Sequence, residues 1–137
     1  LMATISARYL GDLRMECVHN QSGAKILTDA PSDNQGKGEA FSPTDLCATA
    51  LGTCAMTIIG IYGKTHGVDV TGTEVEITKT MGADPRRIGK IEVVFKIPQR
   101  IYSAKEKTII ERCTASCPVH LTLHPEVEKV FTFIWQD

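Results

Sequence analysis

Alternating apolar and polar residues predict three short strands near the start of the chain. We expect these strands over residues 2–10, 14–18 and 25–28. The stretch that follows, residues 29–42, is dense in Gly, Pro, Asp and Asn, and we interpret it as an extended loop. Loops of this length are unusual in a compact domain, which favours a functional role over a simple connection.

A long apolar segment predicts a helix over about residues 43–65, with Gly67 as the stop signal just after it. Ser42 supplies a hydroxyl at the cap, a proline follows at the first helical position, and Asp45 adds an acid to the first turn. Residues 46–62 include no charged side chain. Because this run is at the short limit for a membrane span and contains Thr, Gly and Cys, we interpret it as a buried central helix and expect no membrane partner.

The second half of the chain alternates strand and helix signals. Strands are predicted over residues 73–80, 88–97 and 127–135. Ser103 with Glu106 three residues later forms a capping box that begins a second helix, and Pro118 fits the first turn of a further short helix. The order of elements predicts one α+β domain over residues 1–137, with a largely antiparallel sheet around the central helix.

Composition and net charge argue against several functional classes. The 137 residues are 42% hydrophobic and 23% charged, which is ordinary for one globular domain and excludes a disordered or fibrous chain. The formal net charge of −1 argues against a general nucleic-acid binder, because there is no excess of Lys and Arg to displace phosphate counterions. Residues 1–10 lack a basic start followed by an apolar core, so we expect no signal peptide and a cytoplasmic protein.

Five cysteines, an odd number, argue against a framework of structural disulfides. In a reducing compartment such thiols are buried apolar groups, metal ligands or reactive groups. Cys47 and Cys54 share a face of the predicted helix but lie about 10 Å apart along its axis, too far for a disulfide.

A zinc site is one alternative for the thiols near the C-terminus. Cys113, Cys117, His120 and His124 follow the spacing C-x3-C-x2-H-x3-H and carry the ligand atoms that zinc prefers. Such closely packed ligands rarely close a tetrahedron, and Pro118 interrupts the helix between them. We therefore expect no metal at these residues.

Two motifs far apart in the chain resemble those of a known family. The first is Ser-Pro-Thr-Asp-Leu over 42–46, which leads to Ala-Leu-Gly-Thr-Cys over 50–54, and the second is Ser-Cys-Pro-Val over 116–119. In both motifs the chain resembles the OsmC/Ohr family of organic hydroperoxide reductases. The order of predicted elements agrees with that family over essentially the whole chain.

The resemblance implies a set of catalytic residues. Cys54 would be the reactive thiol and Cys117 its resolving partner, with no metal, haem or flavin cofactor. Peroxide reduction needs a thiolate, which burial disfavours, so a cation must offset burial. The family uses an Arg held by the acid at the helix start. Arg14 is the candidate here, with Arg8 second, and Asp45 occupies the acid position, where Glu is usual in the family.

The resemblance also implies partners. The substrate would be an organic hydroperoxide, and the reductant an external dithiol such as a lipoyl group or a small thiol. Apolar residues beside Cys54, namely Leu51, Met56 and Ile58, suit an organic peroxide. The family forms intertwined homodimers with sites at the interface. The apolar helix indicates a dimer independently, because one small sheet covers only part of it.

Two other functions stay open at this point. The chain is alternatively a redox-sensing or ligand-binding domain that keeps this fold and its thiols without efficient peroxidase activity, or a zinc-binding structural protein. Cys113 is an alternative resolving thiol, one turn before Cys117. His120 follows the second motif and can tune Cys117 or hydrogen-bond a neighbour.

Overall fold

The computed structural model describes residues 2–98 and 100–136. It is an α+β fold with six strands in two three-stranded sheets. The described residues form two compact units, one up to Cys47 and the other from Ala48 onward. Each unit has its own sheet. The predicted fold class is confirmed, but the single, largely antiparallel sheet is corrected to two separate sheets.

The first unit is an antiparallel sheet in the order β1-β2-β3. Its strands are β1 (Ile5–Gly11), β2 (Arg14–His19) and β3 (Lys25–Asp29). All three predicted strands are confirmed, with ends shifted by a few residues at most. The loop after β3 includes a short 3-10 turn, Ser32–Asn34, and returns to the sheet, where the amide of Asp29 donates to the carbonyl of Phe41 at 3.0 Å.

Strand register assigns successive side chains of this sheet to alternate faces. The apolar face, named for its larger share of apolar residues, carries Ile5, Ala7, Tyr9, Met15, Cys17 and Ile26 together with His19 and Thr28. The opposite face carries Ser6, Arg8, Arg14, Glu16, Lys25 and Asp29 together with Val18 and Leu27. Ile5 and Tyr9 are 57% and 59% exposed, so a large part of the apolar face is open to solvent in the single chain.

The second unit contains a mixed sheet in the order β4-β5-β6. Its strands are β4 (Glu74–Gly82), β5 (Arg87–Ile97) and β6 (Glu128–Trp135). β4 and β5 form the predicted antiparallel hairpin, whereas β6 runs parallel to β5. Parallel neighbours need a long crossover connection, and this one carries α2 (Ala104–Arg112) and α3 (Pro118–Thr122).

Helix α1 (Pro43–His66) matches the predicted central helix to within one residue at its C-terminus. Ser42 and Asp45 cap its start reciprocally: each side chain accepts a hydrogen bond from the other residue's backbone amide, both at 3.0 Å. The helix is followed by Gly67 in the left-handed region, at φ +69°, which glycine adopts without steric cost.

One stripe of α1 is buried in the core of the second unit. It consists of Ala48, Leu51, Gly52, Ala55, Ile59 and Gly63. At Gly52 the helix lies so close to Ile77 of β4 that a Cβ would overlap the isoleucine side chain. Thr53, Thr57 and Ile61, spaced four apart, form an exposed face. By length and composition α1 could cross a membrane, and the core helices of globular proteins pass the same test.

The core of the second unit is completed by β5 and by the crossover helices. Every second residue of β5 is fully buried, namely Ile91, Val93, Phe95 and Ile97. From the crossover, Tyr102, Ile110 and Cys117 join the same cluster. This packing fixes α2 and α3 against the sheet and brings the second sequence motif to the core.

The capping box of α2 is confirmed and gives a stability prediction. The Ser103 side chain accepts from the amide of Glu106 at 3.0 Å, and the Glu106 carboxylate accepts from the amide of Ser103 at 2.8 Å. Ser103→Ala leaves a first-turn amide without its cap, so we expect a loss of about 1 kcal/mol in the free energy of unfolding. Urea unfolding measures this loss.

Thr108→Ala is the control, because Thr108 is exposed in the same helix and its hydroxyl bonds only the preceding turn. Alanine has the higher helix propensity there, so this variant should be at least as stable as the wild type. Equal stability of Ser103→Ala and wild type would contradict the prediction.

Candidate active site

Cys54 lies on α1 at the border between its buried stripe and its exposed face. The helix places it between the exposed Thr53 and the fully buried Ala55. Its side chain is half-buried and packs against the core cluster, as do Met56 and Ile58. The thiol is thus held by a rigid element and remains partly open to solvent.

Cys117 sits at the junction of two short helical segments. The 3-10 turn Cys113–Ser116 precedes it, and α3 follows it with a proline at the first position. Cys117 itself is extended, with ψ 126°, because a residue before proline avoids the helical region. Its side chain is fully buried, at 0% exposure. The predicted short helix after Cys117 is confirmed.

The fold brings the thiols of Cys54 and Cys117 into contact, although they come from separate motifs. Burial raises the pKa of Cys117, and a hydrogen bond with Cys54 raises that pKa further. A hydrogen bond that raises the pKa of a thiol stabilises its protonated form. The two thiols differ in exposure: Cys117 is fully buried, and Cys54 is half-buried.

Arg14, the candidate cation, belongs to the first unit and forms an ion-pair cluster there. Its Nε and Nη2 donate to the two carboxylate oxygens of Asp29 at 2.7 and 2.8 Å. Its Nη2 also donates to Glu39 at 3.0 Å. The resemblance implied the helix-start acid as the partner of Arg14; in the single chain Arg14 binds Asp29 and Glu39, and the Asp45 carboxylate accepts from the amide of Ser42 at the start of α1. Arg8 lies opposite Glu16 in the sheet.

Asp29 is the residue that the sequence analysis missed. It is 2% exposed and accepts three hydrogen bonds, two from Arg14 and one from the amide of Glu39 at 3.0 Å. The hydrogen bonds from Arg14 hold the pKa of Asp29 below its usual range, and the Asp29 carboxylate raises the pKa of Arg14 in turn. Hairpin register was the available signal, because Arg14 and Asp29 are directly paired across β2 and β3.

The four residues of the zinc alternative do not assemble into a metal site. Among residues 2–98 and 100–136, no group of three or more His, Cys, Asp or Glu side chains lies close enough to hold a metal ion. His120 bonds the carbonyl of Thr114 at 2.9 Å, and His124 accepts from the amide of Glu126 at 3.0 Å.

The other three cysteines are all half-buried. Cys113 is half-buried at the end of α2, and burial raises its pKa. Cys17 is on the apolar face of the first sheet, and Cys47 is half-buried in the first turns of α1. All five cysteines are free thiols.

The buried carboxylate of Asp29 predicts a pH dependence of stability. Its pKa is lowered in the folded protein, so it stabilises the fold above the pKa of an unfolded Asp, about 4, and that contribution is lost as the pH falls below this value. Asp29→Asn should lower stability by a constant amount between pH 5 and pH 8. The difference from wild type should shrink below about pH 4. Urea unfolding across this range measures it.

Asp12→Asn is the matched control, because it removes one negative charge from an exposed residue of the same unit. Its stability should stay close to that of the wild type at every pH. A wild-type advantage over Asp29→Asn that grows as the pH falls would have the wrong sign for a lowered pKa.

Comparison with known proteins places these features in a family. The sequence pattern described as OsmC-like protein matches residues 36–129, which is more than half of the chain. A structure from Psychrobacter arcticus, named provisionally as an osmotic stress induced and detoxification response protein, is 44% identical with a TM-score of 0.92 and covers 96% of each chain. No curated protein matches the chain.

More distant structures share the fold. An organic hydroperoxide resistance protein OsmC from Legionella pneumophila is 13% identical with a TM-score of 0.76, over 98% of this chain and 97% of that one. An organic hydroperoxide resistance protein from Elizabethkingia anophelis is 17% identical with a TM-score of 0.75, over 99% of each chain. With a family pattern over residues 36–129 and a 44% identical relative over nearly its full length, this chain belongs to the OsmC-like protein family.

Proposed function

We propose that this protein is a thiol-dependent peroxidase that reduces organic hydroperoxides to alcohols through Cys54 and Cys117. The hydrogen bond between these two thiols is the observation that carries the proposal, because the thiols come from separate motifs and differ in exposure. Membership in the OsmC-like family supports the proposal. So do the names of two structural relatives, which are called organic hydroperoxide resistance proteins.

The chemistry follows in balanced steps. The Cys54 thiolate attacks the outer oxygen of ROOH, the O–O bond breaks, and the departing alkoxide takes a proton to become ROH. Cys54 is left as a sulfenic acid. The thiol of Cys117 then displaces hydroxide from that sulfur, forming the Cys54–Cys117 disulfide and releasing water. An external dithiol reduces the disulfide by exchange and becomes oxidised itself.

The exposure of each thiol supports its assigned role. The attacking thiol must meet substrate, and Cys54 is the partly exposed member of the pair. The resolving thiol needs to meet only the other sulfur, and the fully buried Cys117 is hydrogen-bonded to Cys54. A sulfenic acid at Cys54 would therefore form beside its resolving partner, which shortens its exposure to a second peroxide.

Arg14 and Asp45 enter the proposal as positioning residues. The charge of Arg14 is balanced by Asp29 and Glu39, and Glu39 belongs to the loop that precedes α1. Asp45 fixes the first turn of α1, the helix that carries Cys54. Both residues would act by holding the loop and the helix start in place.

We propose further that the protein is a homodimer. A sheet face built from apolar residues, with Ile5, Tyr9 and Ile26 at least half exposed, is more apolar surface than a monomer leaves uncovered without a reason. The exposed Thr53, Thr57 and Ile61 form a second open surface along α1. A second copy of the chain would bury both, as the family resemblance implies.

Substitution of the two thiols tests the peroxidase proposal, because the variants should fail differently. Cys54→Ser removes the nucleophile, so organic hydroperoxide consumption should fall to the rate without protein. Cys117→Ser keeps the first step, so one equivalent of hydroperoxide should react and Cys54 should proceed to sulfinic or sulfonic acid with excess peroxide. Peroxide assays and intact mass measure both outcomes.

Cys113→Ser is the matched control, because it removes a half-buried thiol four residues before Cys117 and should leave the Cys54–Cys117 disulfide of the peroxide-treated protein unchanged. Cys54→Ser with wild-type activity, or a peroxide-induced disulfide that maps to Cys113, would reject the assignment. A wild-type protein whose Cys54 is unreactive toward organic hydroperoxides would favour the alternative of a redox-sensing or ligand-binding domain.

Light scattering tests the dimer. At micromolar concentration we expect one species of twice the chain mass of 15.0 kDa. Ile26→Lys places a charge on the apolar face and should raise the monomer fraction. Leu27→Lys is the control: Leu27 is the next residue, similarly exposed, on the opposite face. A monomeric wild type, or equal effects of the two variants, would contradict this dimer.

A further inference from the structure

The His120 side chain is held by two contacts within the second unit, a hydrogen bond and a ring stack. Its Nδ1 lies 2.9 Å from the carbonyl oxygen of Thr114, and because a carbonyl only accepts, Nδ1 carries the proton. Its ring stacks on Phe131 of β6 at a centroid distance of 5.6 Å. The imidazole thus connects the segment around the second motif to the sheet.

The hydrogen bond of His120 closes a short loop with Cys117 at its centre. Thr114 is buried, and its hydroxyl donates to the carbonyl of Glu111 at 3.0 Å, so the accepting end of the bond is itself anchored to α2. On the other side, the backbone amide of His120 bonds the sulfur of Cys117. The side chain of His120 therefore joins the two ends of the loop over residues 114–120, and its backbone amide contacts the sulfur of Cys117.

Disulfide formation depends on where this loop holds the sulfur. A disulfide requires an S–S bond of about 2.05 Å and a restricted torsion, so the two sulfurs must approach along a narrow path. Cys117 is extended at the junction between two helical turns, and its carbonyl accepts a hydrogen bond from the amide of Leu121 at 3.1 Å. A hydrogen bond that spans this junction restricts the orientations open to the Cys117 side chain. It thereby raises the effective concentration of the Cys117 thiol at Cys54.

We propose that His120 is the positioning residue for the resolving thiol: its Nδ1–H bond to Thr114 holds the loop so that Cys117 faces Cys54 and the disulfide forms in preference to other oxidation products. This inference rests on the Cys54–Cys117 pairing in the proposed function. The step that it favours joins Cys54–SOH and Cys117–SH into a disulfide and releases water. His120 neither donates to nor accepts from the substrate in this step.

The test is the equilibrium between the dithiol and the disulfide, which needs no peroxide. The full chain is equilibrated with graded mixtures of reduced and oxidised dithiothreitol, quenched in acid, and mapped for the Cys54–Cys117 bridge by mass spectrometry. His120→Leu keeps the bulk but removes the donor, and should require a mixture about tenfold more oxidising to reach half conversion. A purely structural role would lower thermal stability without moving this midpoint.

Conservative variants sharpen the test. In His120→Asn the amide nitrogen takes the place of Nδ1, so the midpoint should stay within about threefold of wild type. In His120→Gln the amide lies where Nε2 was, beyond reach of Thr114, so this polar variant should behave as His120→Leu does. His124→Leu is the matched control, because His124 lies in the same segment and bonds only the nearby amide of Glu126.

Each outcome decides the inference. An unchanged midpoint in the Leu and Gln variants overturns it, and so does an equal shift in Asn and Gln, because the Nδ1 donor would then be irrelevant. A wild type that forms no Cys54–Cys117 disulfide overturns both this inference and the proposed resolving step. The expected shifts together with a protein inert toward peroxide would leave this inference standing and overturn the peroxidase function alone.

Discussion

The hydrogen bond between Cys117 and Cys54 depends on how closely α1 packs on the second sheet. Cys54 lies two residues after Gly52, where the helix contacts Ile77 without room for a Cβ. Cys117 is buried in the same core because the crossover between β5 and β6 packs over the sheet. The pairing of the two thiols is therefore a consequence of core packing.

The two units accommodate their buried ionisable groups in different ways. In the second unit a neutral, buried thiol is kept protonated by burial and by its hydrogen bond to Cys54. In the first unit Asp29 is buried with its charge, which is tolerated because Arg14 and a backbone amide supply three hydrogen bonds. The cluster of Asp29, Arg14 and Glu39 also holds the loop that leads to α1.

Surface left open in a single chain also has a physical explanation. On the first sheet, Ile5, Tyr9 and Ile26 share one face and are each at least half exposed. Burying such apolar side chains lowers the free energy of the folded state, so this face gains stability from any surface that covers it.

The sequence by itself determined the elements and the two thiols. Local signals are strong at Ser42, Ser103 and Pro118, because caps and proline act within one turn, and those helix starts are where the pattern predicted them. Tertiary structure alone decided that the strands form two sheets and that β6 runs parallel to β5, since strand partners are chosen by packing. It also decided that Arg14 binds Asp29, because a charged side chain selects its partner by distance in space.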